Sequence, residues 1–114
     1  MKIKYKIWIE KDGKVLFGRG RDDILKAVEK GQSLNTAAKQ LEMSYRAAWG
    51  RLKASEERMG VKLVEVGAGS RSIQLTAQAR AIIARFEQLE RDVQKLLATA
   101  EKDFRQLTRK EGRS

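Results

Sequence analysis

The chain has 114 residues, 25 Lys+Arg against 15 Asp+Glu, a net charge of +10, and no cysteine, histidine or proline. No cysteine means no disulfide framework and no thiol chemistry. No histidine removes the commonest general base and the commonest metal ligand together.

No apolar run approaches the roughly 20 residues of a membrane span. The positive excess suits a polyanion such as nucleic acid, or equally a solubilising surface. The expectation is one domain with an appendage, cytoplasmic, with no cofactor, no metal and no membrane partner.

Residues 2–10, KIKYKIWIE, alternate in the period of a strand, with Ile3, Tyr5, Ile7 and Ile9 on one side and Lys4, Lys6, Trp8 and Glu10 on the other. Asp12-Gly13 is a two-residue hairpin signal, since both turn positions need positive φ. That loop sets Trp8 opposite Phe17 and Ile9 opposite Leu16, with the inner face over a core. GRGR, residues 18–21, breaks the strand. Asp22 and Asp23 then open a helix whose apolar face is Ile24, Leu25 and Val28 and whose stop is Gly31.

Ser33 caps a second helix, LNTAAKQL. Ser44 caps a third, which runs to about Met59 and stops at Gly60. The short join between them is helix-turn-helix spacing. KLVEV and IQLT around GAGSRS read as a wing hairpin. Thr76 caps a last helix over residues 77–107, about 45 Å long at 1.5 Å per residue. Ile82, Phe86, Leu89, Val93, Leu96 and Ala100 stripe it, and Asp103 interrupts the stripe.

The class is mainly α (α+β). The expected organisation is residues 1–20 as an N-terminal β-hairpin, 21–75 as a winged helix-turn-helix, 76–107 as a long dimerisation helix and 108–114 as a flexible tail.

On a wheel of about 100° per residue, the third helix gathers Ala48, Leu52, Ser55 and Met59 on a buried side, with Tyr45 at its edge. Opposite lie Ala47, Gly50 and Ala54, flanked by Arg46 and Lys53. Arg51 leans to the other border. Trp49 falls between the faces and suits a core-edge anchor better than a base contact.

Glycine inside a helix costs roughly 1 kcal/mol against alanine. Small residues on an exposed face let a helix approach the floor of a major groove, and basic residues at the rim then reach bases or phosphates. The bland alternative is a solvated face with a tolerated glycine. Candidate DNA contacts on the third helix are Ser44, Tyr45, Arg46, Ala47, Trp49, Gly50, Arg51 and Lys53. Ser33, Asn35 and Thr36 join them from the second helix, and Ser70 and Arg71 from the wing. GAGSRS lacks the Lys-Ser/Thr pair of a phosphate-binding loop, and no catalytic constellation is present.

SLNTAAKQLEMSYRAAWGRLKASEERMGVKLVEV followed by GSRSIQLTAQARAII resembles the N-terminal DNA-binding domain of the molybdate-responsive (ModE-type) regulators, itself related to the LysR-type winged helix. The likeness spans roughly residues 21–95. It is carried by Ala37-Ala38, by Ser44-Tyr45-Arg46 with Ala48-Trp49, by Gly60 with Leu63-Val64, and by Leu75-Thr76. It implies a recognition helix from Ser44 bearing Tyr45, Arg46 and Trp49, a wing holding Arg71, and dimerisation through the long helix.

Glu42 stands where such turns usually have glycine, which suggests a different turn or a residue with positive φ. The oxyanion-binding domains of that family have no counterpart in these residues, so no molybdate response is expected.

The expected function is a dimeric, sequence-specific regulator that binds double-stranded DNA at an inverted repeat. Its expected homodimer seam is Ile82, Phe86, Leu89, Val93, Leu96 and Ala100. The alternative is a winged helix used only to bind protein, which a salt titration separates from DNA binding.

Overall fold

The computed structural model describes residues 1–67 and 72–109. The chain runs β1 (Trp8–Lys11), β2 (Lys14–Gly18), α1 (Arg19–Glu29), α2 (Leu34–Gln40), α3 (Tyr45–Met59), β3 (Val64–Val66), β4 (Ile73–Leu75) and α4 (Ala77–Leu107). Two antiparallel hairpins, β1–β2 and β3–β4, flank the helices. This is a winged helix-turn-helix with a β-hairpin before it and a long helix after it.

The helix boundaries follow from local chemistry. The hydroxyls of Ser33, Ser44 and Thr76 accept from the backbone N–H groups of Thr36, Ala47 and Ala79, capping α2, α3 and α4. Such caps contribute about 1 kcal/mol each. Past α1, the N–H groups of Gly31 and Gln32 reach back to the carbonyls of Val28 and Ala27, and φ at Gly31 is +87°. Gly60 closes α3 in the left-handed region at φ +72°. Glu42 makes the α2–α3 turn at φ +57°.

The core gathers Phe17 from β2, Ile24, Leu25 and Val28 from α1, Ala48 and Leu52 from α3, Leu63 just before the wing and Val64 at its start, and Ala79, Ile83 and Phe86 from α4. Phe17 and Phe86 meet edge to face, with ring centroids 5.3 Å apart. Across α1 and α4, Arg19 pairs with Glu90 and Lys26 with Glu87. Thr76 ties α4 to the chain before β3, its hydroxyl donating to the Lys62 carbonyl at 2.7 Å.

The N-terminal segment departs from expectation. Asp12 and Gly13 do take positive φ, +53° and +77°. The register, however, pairs Trp8 with Gly18 and Ile9 with Phe17, because a bulge opens between Ile9 and Glu10. The expected Trp8–Phe17 and Ile9–Leu16 pairs do not form.

Pairing begins only at Trp8, since β2 ends where α1 starts and leaves residues 2–7 without a strand to pair with. Those residues instead run beside α4: the Ile3 amide donates to Glu101 Oε2 at 2.8 Å, and Ile7 packs on the core. Ile9 and Tyr5, expected inside, are exposed. Phe17 is the strand residue that enters the core.

Helix α1 begins at Arg19 rather than Asp22, so GRGR lies largely inside it. Arg19 reaches Asp22 at i+3 and Asp23 at i+4, which holds that first turn together.

Candidate nucleic-acid interface

Helix α3 separates its faces as its sequence dictates. Ala48, Leu52 and Ser55 are wholly buried. Trp49 is half-buried and packs on the core, as its wheel position suggested. Tyr45 is 50% exposed and stands edge-on to Trp49 at 6.3 Å. Arg46, Gly50 and Arg51 are exposed, and Ala47 and Ala54 half-buried.

A Cβ built on Gly50 meets nothing within 4 Å. The fold itself does not require glycine there. The strip Ala47–Gly50–Ala54 is therefore a shallow trough, and at Gly50 its bareness has no internal cause.

The rims of this trough differ. On one side Lys53 lies 5.2 Å from the Trp49 ring centroid and 3.1 Å from Glu56 Oε1, while Arg46 makes no hydrogen bond or ion pair with the described residues. On the other side stand Arg51 and Arg58, seven residues apart on the same helix face. Arg21 of α1 joins them, its Nε donating to the Arg51 carbonyl and the Ser55 hydroxyl. Arg51 approaches the Met43 sulfur at 3.3 Å, and Arg58 donates to the Val15 carbonyl at 2.7 Å. Burial, then the charges of Arg58 and Arg51, pull the Arg21 guanidinium below arginine's usual range.

Glu56 locks α3 to the wing. Its Oε2 accepts from the Leu63 amide at 2.8 Å and the Val64 amide at 3.3 Å. Burial would raise its carboxyl, but those amides and Lys53 together hold it below the ordinary glutamate value.

Ser33, Asn35, Tyr45 and Trp49 line a cleft of about 440 Å³ with Ser72 and Ile73 at the wing base. Thr36 sits one turn into α2, and its side chain accepts from the Ser33 hydroxyl at 2.9 Å. So α2, α3 and the foot of the wing converge on one surface. Ser70 and Arg71 lie outside the described residues.

The expected seam on α4 is partly corrected. Phe86 is only 2% exposed and belongs to its own domain's core against Phe17, so it is not open to a second subunit. Ile82 is half-buried against the same core. Leu89, Val93 and Ala100 are half-buried, and Leu96 is 70% exposed. Two faces are at work, roughly 60–80° apart at about 100° per residue. One, through Ala79, Ile83 and Phe86, packs on the domain. The other, through Leu89, Val93, Leu96, Ala100 and Leu107, does not.

Sequence reasoning missed Arg21 and Arg58. The spacing of Arg51 and Arg58 was a readable signal that they share a face. Nothing in the sequence brings Arg21 to them, because that contact depends on how α1 crosses α3.

A winged helix-turn-helix with a bare-faced third helix is the architecture of DNA-binding proteins. Residues 23–80 match the family model described as "Bacterial regulatory helix-turn-helix protein, lysR family". The chain belongs to that family, whose members are DNA-binding transcription regulators rather than enzymes.

Among solved structures, it is similar to the crystal structure of the CbnR DBD–DNA complex, with 26% identity and a TM-score of 0.54 over 79% of this chain and 97% of that one. It is also similar in fold to Vibrio fischeri DarR in complex with DNA, at 20% identity and a TM-score of 0.57 over 76% of this chain and 29% of that one. No curated protein sequence matches it. Among the described residues no helix is long and apolar enough to cross a membrane.

Proposed function

We propose that the protein is a homodimeric regulator that reads an inverted repeat in cytoplasmic double-stranded DNA, with α3 in the major groove and α4 as the subunit seam. The observation that carries this reading is the trough at Gly50. A helix-interior glycine with open space above it costs stability and serves no contact of its own chain. It makes sense against an external surface that must come close.

The major groove admits one helix. Arg46, unpaired among the described residues, is placed to read a base edge. Ser33, Asn35 and Thr36, at the exposed start of α2, are placed for backbone phosphates, as helix N-termini commonly are. The crystallised CbnR domain in complex with DNA, to which the chain is similar over most of its length, supports the same partner class.

The dimer rests on the second face of α4. Leu89, Val93, Leu96, Ala100 and Leu107 form an apolar ridge on a helix that carries the molecule to 70 Å along its longest axis. Ridges of this kind mark interaction surfaces. Two-fold symmetry would bring both recognition helices to one face of the duplex, about a helical turn or a multiple of it apart. The narrower kinship to the molybdate-responsive regulators rests on the sequence resemblance, chiefly the Ser44-Tyr45-Arg46 and Ala48-Trp49 strings, and no oxyanion response is proposed for these residues.

Selection from a random duplex library tests the reading. An inverted repeat should emerge, and affinity for it should fall log-linearly with salt. Failure to enrich any duplex, or binding indifferent to salt, would leave a protein-interaction module instead.

A further inference from the structure

Arg21, Arg51 and Arg58 stand together with only neutral acceptors: the Arg51 carbonyl, the Ser55 hydroxyl, the Met43 sulfur and the Val15 carbonyl. Elsewhere Arg19, Lys26, Lys53 and Arg80 each find a carboxylate, whereas among the described residues none of these three does. Like charges held side by side repel, and an anion joining them relieves that repulsion.

The cluster continues into the hairpin. The Arg58 guanidinium holds the Val15 carbonyl, and a cleft of about 250 Å³ beside it is lined by Lys11, Lys14, Leu16 and Asp12. Three cations thus face one acid at the hairpin tip.

Its position suggests the anion. The cluster borders the Gly50 trough on the side away from Arg46 and Lys53. A helix lying in a major groove is flanked by the phosphates of both strands, so each rim faces a backbone. One rim is Arg46 and Lys53; the other is this cluster. The hairpin, residues 8–18, lies outside the span matched by the family model, residues 23–80.

We infer that the β1–β2 hairpin and the Arg21–Arg51–Arg58 cluster form an additional clamp for DNA phosphates, extending the footprint beyond the helix-turn-helix and wing. This rests on the proposed DNA-binding function and adds its own surface to it. Lys11, Lys14, Arg58 and Arg51 contact phosphate oxygens, and Arg21 fixes Arg51 from behind.

The test is a salt titration of the wild type, of Lys11→Ala/Lys14→Ala/Arg58→Gln, and of Lys14→Glu alone, on the selected site and on random duplex. Lys14 is at an exposed tip, so its reversal leaves the fold intact. Each phosphate contact contributes about 0.9 to the slope of log affinity against log salt. The triple variant should lose about two to three units of slope, equally on both duplexes, with base preference unchanged. Lys14→Glu should lose about one.

A triple variant with wild-type slope and affinity would overturn the clamp while leaving the DNA-binding reading intact, and would assign the cluster to an acidic protein surface. A wild type that binds no duplex would overturn both.

Discussion

Asp22 on α1 and Glu87 on α4 set carboxyl against carboxyl across the contact between the DNA-binding unit and the long helix. Asp22 is wholly buried; Arg19 reaches its Oδ2 at 3.2 Å, and its Oδ1 has no donor unless a proton is shared with Glu87. Burial, then the hydrogen bond and charge of Glu87, push Asp22 up to about 7. The hydrogen bond from Asp22 holds Glu87 below its ordinary range. The two titrate as one unit holding one proton. Asp23, Lys26 and Glu90 complete the charged surroundings.

The unfolded chain loses the Asp22 proton near 3.8 and the folded chain keeps it to about 7. The folded state binds the extra proton in that window, so stability falls as pH rises through it and levels off above. Asp22→Asn should flatten that decline and exceed the wild type at about pH 8 by roughly 1–3 kcal/mol, since it removes a buried, poorly partnered charge. Urea unfolding at about pH 5 and about pH 8 measures this. A wild type equally stable at both would exclude the shared proton.

Gly50 separates stability from recognition. Gly50→Leu enters open space and gains helix propensity, so thermal stability should hold or rise by roughly 0.5–1 kcal/mol. Its operator affinity should fall at least about tenfold, or about 1.4 kcal/mol. Arg46→Ala should cost about 1–3 kcal/mol and relax preference at one base position. Calorimetric melting and mobility-shift titration of the same samples check both halves; a Gly50→Leu protein with undiminished affinity would contradict the trough.

The outer face of α4 can be tested without touching the core. Leu89→Glu/Leu96→Glu places like charges where two subunits would meet, and each large side chain covered there contributes about 1.5–3 kcal/mol. Sedimentation should show monomers with an unchanged helical spectrum and a much weakened grip on the full inverted repeat. Dimers that persist in this variant would move the seam elsewhere.

Glu56 carries a second pH dependence, of opposite sign. Its carboxylate is held below its ordinary value of 4.5, so its contribution is present above that value and is lost as pH falls through the folded one. Glu56→Gln leaves the Leu63 and Val64 amides with a weaker acceptor and should cost roughly 1–3 kcal/mol near neutral pH. The difference from wild type should shrink in acid, and melting across pH shows whether it does.

Local signals were legible in the sequence wherever one residue's chemistry decides the backbone. Ser33, Ser44 and Thr76 cap because their hydroxyls reach the N–H three residues on, and Gly31 and Gly60 stop helices because they accept positive φ. Period alone placed Ala48, Leu52 and Ser55 inside and Gly50 outside. The helix-turn-helix and the span of α4 followed from these.

Tertiary structure decided what depends on distant neighbours. Residues 2–7 alternate like a strand, but a strand needs a partner edge; β2 had already turned into α1, and Ile3 found Glu101 instead. The bulge that moved Phe17 opposite Ile9 is a one-residue adjustment no pattern records. On α4 the apolar stripe is continuous in sequence, yet Phe86 is taken by Phe17 while Leu96 stays outside, because the domain covers only the helix's first turns. The crossing of α1 over α3 likewise drew Arg21 to Arg51, and the packing of α1 against α4 set Asp22 against Glu87, contacts between residues 30 and more positions apart whose charges, read singly, look like ordinary surface.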